Sequence, residues 1–403
     1  MLSDKLRILH LSPFRQSISG SDESLIDLVK GLTAQGWNSV VALPKDSPYS
    51  AKYLSAGAQI IYAPITSVRR SFNPVEWASF STGVFYSISA LKKVVAESQI
   101  QVVHTNMETA VAGPIIARLT KIPNITHVRS TSIATPRFAF KTLIKFWESN
   151  SQAVVAISES VRNVLIDGGM AQEKIYKIYD PIDVDKFKPL PKEKKEKLFE
   201  EKLSPLRIKR DCKFVVLVAR MNPIKGQSIF IDCAAMLADK HKELCFVFIG
   251  DSANNMELRY EREIKLKAEK LGLADRSCFL GYRGDIHELL PLFDVCVCPS
   301  TTEAFGRPAA EAMACAVPVV VTAIDGLKEI VIHGETGFIV PANDPTSLAE
   351  AIEKIITDEE LAVLMGQNGR RRVVEYFSAA IHVEKMKALF ESCVRDGILG
   401  KNW

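Results

Sequence analysis

The chain has 403 residues, no cysteine before Cys212, and no Cys-x-x-Cys pair among the eight cysteines that follow. That spacing speaks against a structural zinc site. Several thiols sit in apolar runs such as Val295-Cys296-Val297-Cys298, which reads as buried cysteine in a reducing compartment. No apolar run approaches the roughly 20 residues that cross a bilayer. The N-terminus passes directly into a strand-like stretch, Leu6–Leu11, so no signal peptide and a cytoplasmic location are expected. Excess charge is also lacking. A net charge of +4 gives no argument for nucleic acid, although it suits an anionic ligand or an anionic membrane surface. No Gly-x-Gly-x-x-Gly follows a strand-like run, which excludes the usual dinucleotide dehydrogenase.

What is present is a soluble-type balance of 47% hydrophobic and 24% charged residues, in a length that suits two domains. Short apolar runs alternate with helix-period segments, the pattern of βα units and parallel sheets. The first half offers Leu6–Leu11, Ser39–Leu43, Ile60–Tyr62, Gln101–His104, Asn124–Val128, Ala153–Ile157 and Ile175–Tyr179 as strands. The second half offers Phe214–Val218, Cys245–Ile249, Cys278–Leu280, Val295–Cys298 and Val317–Val321. Between the halves, the lysine- and glutamate-rich stretch reads as a linker or solvated helix. The expected division is therefore 1–185, a linker at 186–212, and 213–377. An amphipathic helix over 378–403 is expected to pack back on the first domain.

The strongest chemical signal runs from Pro299 to Pro318 and carries Glu303 and Glu311. A strand ends near Cys298, and a helix is expected to open near Pro308, since proline suits a first helical position. The backbone N–H groups of Phe305, Gly306 and Arg307 then face an anion, and a phosphate fills such a place well. Glu303 and Glu311 can each accept hydrogen bonds from hydroxyl groups, one from a sugar and one from a ribose. Glu-x7-Glu alone also occurs by chance with both carboxylates solvated, so the weight lies in the whole segment. A second signal is Arg220-Met221-Asn222-Pro223-Ile224-Lys225-Gly226. Arg220 ends a strand and Lys225 opens a helix, so both lie at the carboxyl edge where open α/β sheets bind ligands. Two cations there can hold a diphosphate. A third, weaker signal is Gly20-Ser21 before the first helix, which a plain helix cap explains almost as well.

Together these segments resemble the retaining glycosyltransferases of family 4, which have the GT-B fold of two Rossmann-like, doubly wound α/β domains facing across a cleft. The resemblance rests on Glu303-Ala-Phe305-Gly306-Arg307-Pro-Ala-Ala-Glu311-Ala-Met-Ala with Pro318-Val319-Val320. Further matches are Arg220 with Lys225-Gly226, Gly20-Ser-Asp-Glu23, Ala156-Ile-Ser158-Glu, Phe279-Leu-Gly281-Tyr, Gly326-Leu-Lys-Glu329 and Gly334-x-x-Gly337-Phe. It implies a hexosyltransferase whose donor is a nucleotide-diphosphate sugar, with UDP favoured on family frequency. Arg220 and Lys225 hold the diphosphate, Glu311 reaches the ribose, and Glu303 reaches a donor-sugar hydroxyl. The Phe305–Arg307 backbone contacts sugar and phosphate, and Gly20 and Ser21 lie near the phosphate. The acceptor is a glycan or lipid-linked sugar, in polysaccharide or glycoconjugate biosynthesis. No metal or other cofactor is implied.

The chain also departs from that family. Ser21 stands where a second glycine is usual, Asp325-Gly326 replaces Gly-Gly, and Asp180-Pro181 replaces Asn-Gly. Where a histidine often lies near the donor sugar, the matching residue is Arg129, with His127 two positions earlier; Arg129 is expected to face the cleft. Asp183-Val-Asp185 looks like the Asp-x-Asp metal motif of the other glycosyltransferase fold, but its place at the exit of the first domain argues against metal. The stretch Arg137–Trp147 is amphipathic and basic, which fits either a core-facing helix or peripheral contact with the inner face of a membrane. The competing functions are a sugar-nucleotide epimerase or phosphorylase of the same fold, and a non-catalytic nucleotide-sugar-binding subunit.

Overall fold

The computed structural model describes residues 5–13, 20–67, 74–131, 137–204 and 212–398. It forms two compact units. One comprises the chain to Pro181 together with the segment from Ala379, and the other comprises Ile182–Ser378.

The first unit is built on a parallel sheet of β1 (Arg7–Leu11), β2 (Asn38–Leu43), β3 (Gln59–Tyr62), β4 (Val102–Thr105), β5 (Asn124–Val128), β6 (Ala153–Ala156) and β7 (Ile175–Lys177). Their order is β3-β2-β1-β4-β5-β6-β7. The second unit repeats the plan with β8 (Lys213–Val218), β9 (Leu244–Ile249), β10 (Ser277–Phe279), β11 (Val295–Cys298), β12 (Val319–Thr322) and β13 (Gly337–Val340). Their order is β10-β9-β8-β11-β12-β13. In both sheets the order reverses beside the first strand, which is the doubly wound arrangement. Helices cover both faces of the central strands, so β1, β4, β5, β9 and β11 are almost wholly buried, polar residues such as His104, Asn124 and His127 included.

The structure differs from the sequence expectation at two places. Residues 186–204, the described part of the expected linker before residue 212, are not a separate linker. They belong to the second unit, where the charged run forms the helix Lys192–Lys202 with Leu198 and Phe199 buried. The Phe199 ring packs 5.9 Å from that of Phe214, so two apolar residues in a charged run suffice to dock it. The second difference is β13, a sixth strand in that sheet. Gly337 opens it because a side chain there would lie 2.4 Å from the Val319 carbonyl oxygen.

The helix Ala379–Ile398 lies in the first unit. Its Val383, Met386, Leu389 and Phe390 share one core with Leu25, Leu28, Val29 and Leu32 of the helix Gly20–Ala34. Gly31 permits that approach, since a Cβ there would sit 2.4 Å from Val383 Cγ2. The two chain crossings lie side by side within the second unit, where the Ile182 N–H donates to the Phe377 carbonyl at 2.8 Å. Among the described residues no helix is long and apolar enough to cross a membrane.

Candidate functional site

The carboxyl edge of the second sheet collects the charged residues that the sequence singles out. After β8 the chain passes Arg220 and enters a short 3-10 turn, Pro223–Lys225, whose start is capped by the Asn222 side chain accepting from Ile224 N–H. Gly226 follows in the left-handed region, with φ 77°. A Cβ there would meet the Pro299 carbonyl oxygen at 2.0 Å, so glycine is required for β8 and β11 to bring their loops together. The contact is completed by Thr301 N–H donating to the Ile224 carbonyl at 2.8 Å.

After β11 the loop reaches Gly306, at φ 105°, which opens the helix Arg307–Ala314 with a proline in its first turn. The helix therefore starts where the sequence placed it, with its first N–H groups at the strand ends. A second turn clamps this loop. Gly326 N–H donates to the Glu303 carbonyl at 3.1 Å, and Asp325 Oδ2 accepts from Glu303 N–H at 3.3 Å. Gly326 has no room for a side chain, since its Cβ would lie 2.4 Å from the Ala304 carbonyl oxygen. Phe305 is buried, with its ring against Phe377 at 5.7 Å. It anchors the loop and leaves its backbone to do any binding.

Within this frame Lys225 Nζ lies 2.5 Å from Glu303 Oε2, with both side chains about one-fifth exposed (22% and 19%). Arg307 reaches Glu311 one helical turn on, at 3.1 Å. Arg220 is the most open of the set, with 47% of its side chain exposed, and its Nη1 stands 3.6 Å from Glu257 Oε1. The structure thus brings Lys225 and Glu303 into contact, pairs Arg307 with Glu311, and places Arg220 on the same edge.

The first unit arranges its own carboxyl edge differently. Gly20 and Ser21 begin the helix Gly20–Ala34, and the loop Phe14–Ser19 before them lies outside the described residues. Asn106 Nδ2 donates to the Ser21 carbonyl at 3.1 Å. Asp22 is fully buried. Its Oδ1 accepts from the Ser12 hydroxyl and from Tyr53 Oη at 2.9 Å. Burial raises its carboxyl to about 6.

Arg129, expected to face the cleft, is held on several sides within the first unit. Its Nε and Nη2 donate to the Asn106 carbonyl and Oδ1 at 2.9 and 2.8 Å. Its Nη1 pairs with Asp180, and both side chains are only 6% exposed. A guanidinium so deeply buried needs a counter-charge, and Asp180 supplies it.

His127 is likewise wholly buried, and it belongs to a row that the sequence did not reveal. His10 and His104 approach at 2.9 Å, and His104 and His127 at 2.7 Å. His382 of the last helix stacks on His127 at 6.1 Å. Burial lowers His10 to about 3 and drives His104 and His127 well below the usual imidazole range, so these rings are neutral. The strand register that aligns His10 with His104 cannot be read from the spacing of the two residues.

Two other motifs resolve into structure. Asp183 Oδ1 accepts from the N–H groups of Asp185 and Lys186 at 3.1 and 3.0 Å, so the Asp-x-Asp run caps a turn. Among the described residues no group of three or more His, Cys, Asp or Glu is placed to hold a metal. The basic helix Arg137–Asn150 turns Ile144 and Trp147 into the core, and Trp147 Nε1 donates to the Glu108 carbonyl at 3.2 Å.

Comparison with known proteins agrees with this layout. Residues 199–372 match the family model described as Glycosyl transferases group 1, and residues 18–186 match Glycosyltransferase Family 4. The chain is 30% identical over 318 residues to EpsD of Bacillus subtilis (strain 168), spanning 75% of this chain and 79% of that one. It is 26% identical over 316 residues to the Escherichia coli UDP-Gal:alpha-D-GlcNAc-diphosphoundecaprenol alpha-1,3-galactosyltransferase, spanning 75% and 78% of the two chains. The fold is shared with Anabaena HepE, solved in complex with UDP and glucose. There the TM-score is 0.82 and the identity 22%, over 96% of this chain and 100% of that one.

Proposed function

Because this chain belongs to the family 4 (group 1) glycosyltransferases, we propose that it moves a hexose-type sugar from a UDP-sugar to a lipid-linked or glycan acceptor, with retention of configuration, in polysaccharide or glycoconjugate biosynthesis. The observation that carries this reading is the Lys225–Glu303 contact beside the Gly306-capped helix start, with Arg220 on the same edge. A diphosphate leaves with extra negative charge. Lys225, Arg220 and the first N–H groups of the helix Arg307–Ala314 supply fixed positive ends for it. Glu303 then exchanges its lysine for a hydroxyl of the donor sugar, and Glu311 accepts from the ribose. Such stabilisation needs no metal and no second carboxylate acting as nucleophile.

The donor class is tested by thermal shift against UDP-, GDP-, ADP- and TDP-sugars in the presence of a chelator. A ligand that binds only the folded state raises its melting temperature. The reading expects a shift with UDP-sugars that Arg220→Ala diminishes, and silence across the whole panel would remove it. Retention is read from the anomeric coupling of the product by NMR.

A second feature favours peripheral membrane contact by the first unit, on the cytoplasmic side. Phe85 and Tyr86 on the helix Pro74–Glu97 are 69% and 60% exposed. Lys92 and Lys93 follow seven residues after them, on the same face of that helix. Flotation with phosphatidylglycerol vesicles should recover the protein in the lipid fraction and lose it on Phe85→Ser with Tyr86→Ser. Equal flotation of the double variant would discard this contact.

A further inference from the structure

Arg220 is pinned at its backbone from several sides. Ala219 N–H donates to the Ile249 carbonyl at 2.9 Å, and Met221 N–H to the Asp251 carbonyl at 3.0 Å. Gln227, itself fully buried, donates from Nε2 to the Arg220 carbonyl at 2.8 Å. Gly250 makes this close approach possible, since a Cβ on it would lie 1.9 Å from the Ala219 carbonyl oxygen. Among the described residues the Arg220 side chain has one charged partner. Glu257 Oε1 stands 3.6 Å from Arg220 Nη1, and Glu257 is 3% exposed against 47% for its partner.

Glu257 is itself fixed. Its N–H is capped by Asn254 Oδ1 at 3.1 Å, and its Oε2 accepts from Ala253 N–H at 2.7 Å. A buried carboxylate needs compensating charge, and here it comes from a guanidinium whose other end reaches solvent. At 3.6 Å the contact is an attraction between charges and not a hydrogen bond. It therefore orients the guanidinium without consuming the fork of donors that a phosphate would take.

We infer that Glu257 is a positioning residue: it holds Arg220 in the orientation that receives the diphosphate, and so tunes donor affinity without touching the donor. This rests on the reading that Arg220 binds the donor. A long side chain left unguided spreads over many rotamers, and apparent affinity falls by the fraction that remains competent.

The test is a double-mutant cycle on the full-length chain, with UDP affinity measured by isothermal titration calorimetry. Glu257→Gln keeps an acceptor for Ala253 N–H and removes the charge. It should weaken UDP by roughly tenfold, as expected if the competent orientation drops to about a tenth of the population. In an Arg220→Ala background the same substitution should change nothing further, because its effect passes through Arg220. A variant that only loosened the fold would add its loss in both backgrounds. If Glu257→Gln does not fold, Glu257→Asp, which retracts the charge by one methylene, carries the same comparison. UDP affinity unchanged by Arg220→Ala would remove the donor reading and this inference with it. A loss in Arg220→Ala, with Glu257→Gln matching wild type or adding fully in the double variant, would overturn the inference alone.

Discussion

The two units share one order over the first six strands of each sheet, yet they treat charge at their carboxyl edges in opposite ways. The second unit leaves its proposed diphosphate-binding cations partly open: Arg220 is 47% exposed, and Lys225 with its partner Glu303 about one-fifth. The first unit buries Arg129 with Asp180, Asp22 with Ser12 and Tyr53, and a row of histidines. The difference teaches how to separate binding residues from architectural ones on the same scaffold. A half-exposed cation can exchange its partner for a ligand at small cost. A buried ion pair cannot, because each partner depends on the other for its solvation.

The largest expected effect breaks the comparison on the side of the first unit. Arg129→Ala leaves Asp180 buried without its counter-charge, and should cost about 3–5 kcal/mol of stability in a urea titration. A cost under about 1 kcal/mol would mean that the pair is not structural. Lys225→Ala should do the reverse. Its partly exposed pair is worth roughly 1 kcal/mol or less to stability, but the transfer rate should fall by about 100-fold or more. A variant that melts early yet keeps its turnover would erase the distinction between the units.

The pH dependence sharpens the comparison further. His10, His104 and His127 have folded-state values depressed below the usual one. The unfolded chain therefore binds protons that the fold refuses, and stability is full above about pH 6.5 and falls below it. Each ring should remove about 1 kcal/mol per pH unit through that window. Asp22, raised to about 6, has the opposite sign. Its folded form takes up a proton as pH drops through that value, which offsets part of the loss down to about pH 4. Asp22→Asn should be the smallest effect: no change in slope above about pH 7, but a steeper fall in melting temperature between about pH 6 and 4. An acid limb unchanged by the substitution would show that Asp22 does not titrate in the fold.

Much of this was legible in the sequence because it is local. Apolar runs marked the strands to within a residue or two, and Gly226, Gly306 and Gly326 stood where backbones meet. Pro308 announced the start of the helix Arg307–Ala314. What stayed hidden depends on register and burial. Arg129 and Asp180 meet from 51 residues apart, and nothing in either neighbourhood shows that both are inside. His10 and His104 become neighbours only when β1 and β4 pair. Glu257 sits in a helix of mixed charge, Asn255–Lys270, where it looks like any solvated glutamate. The strand Gly337–Val340 escaped because it opens on a glycine, which ordinarily signals a turn.

The most direct test of the central claim is backbone hydrogen exchange with and without saturating UDP. The account predicts slowed exchange over residues 220–226 and at the amides of Phe305, Gly306, Arg307 and Glu311, where the diphosphate and ribose are proposed to bind. UDP that binds while these amides exchange as in the unliganded protein would contradict it.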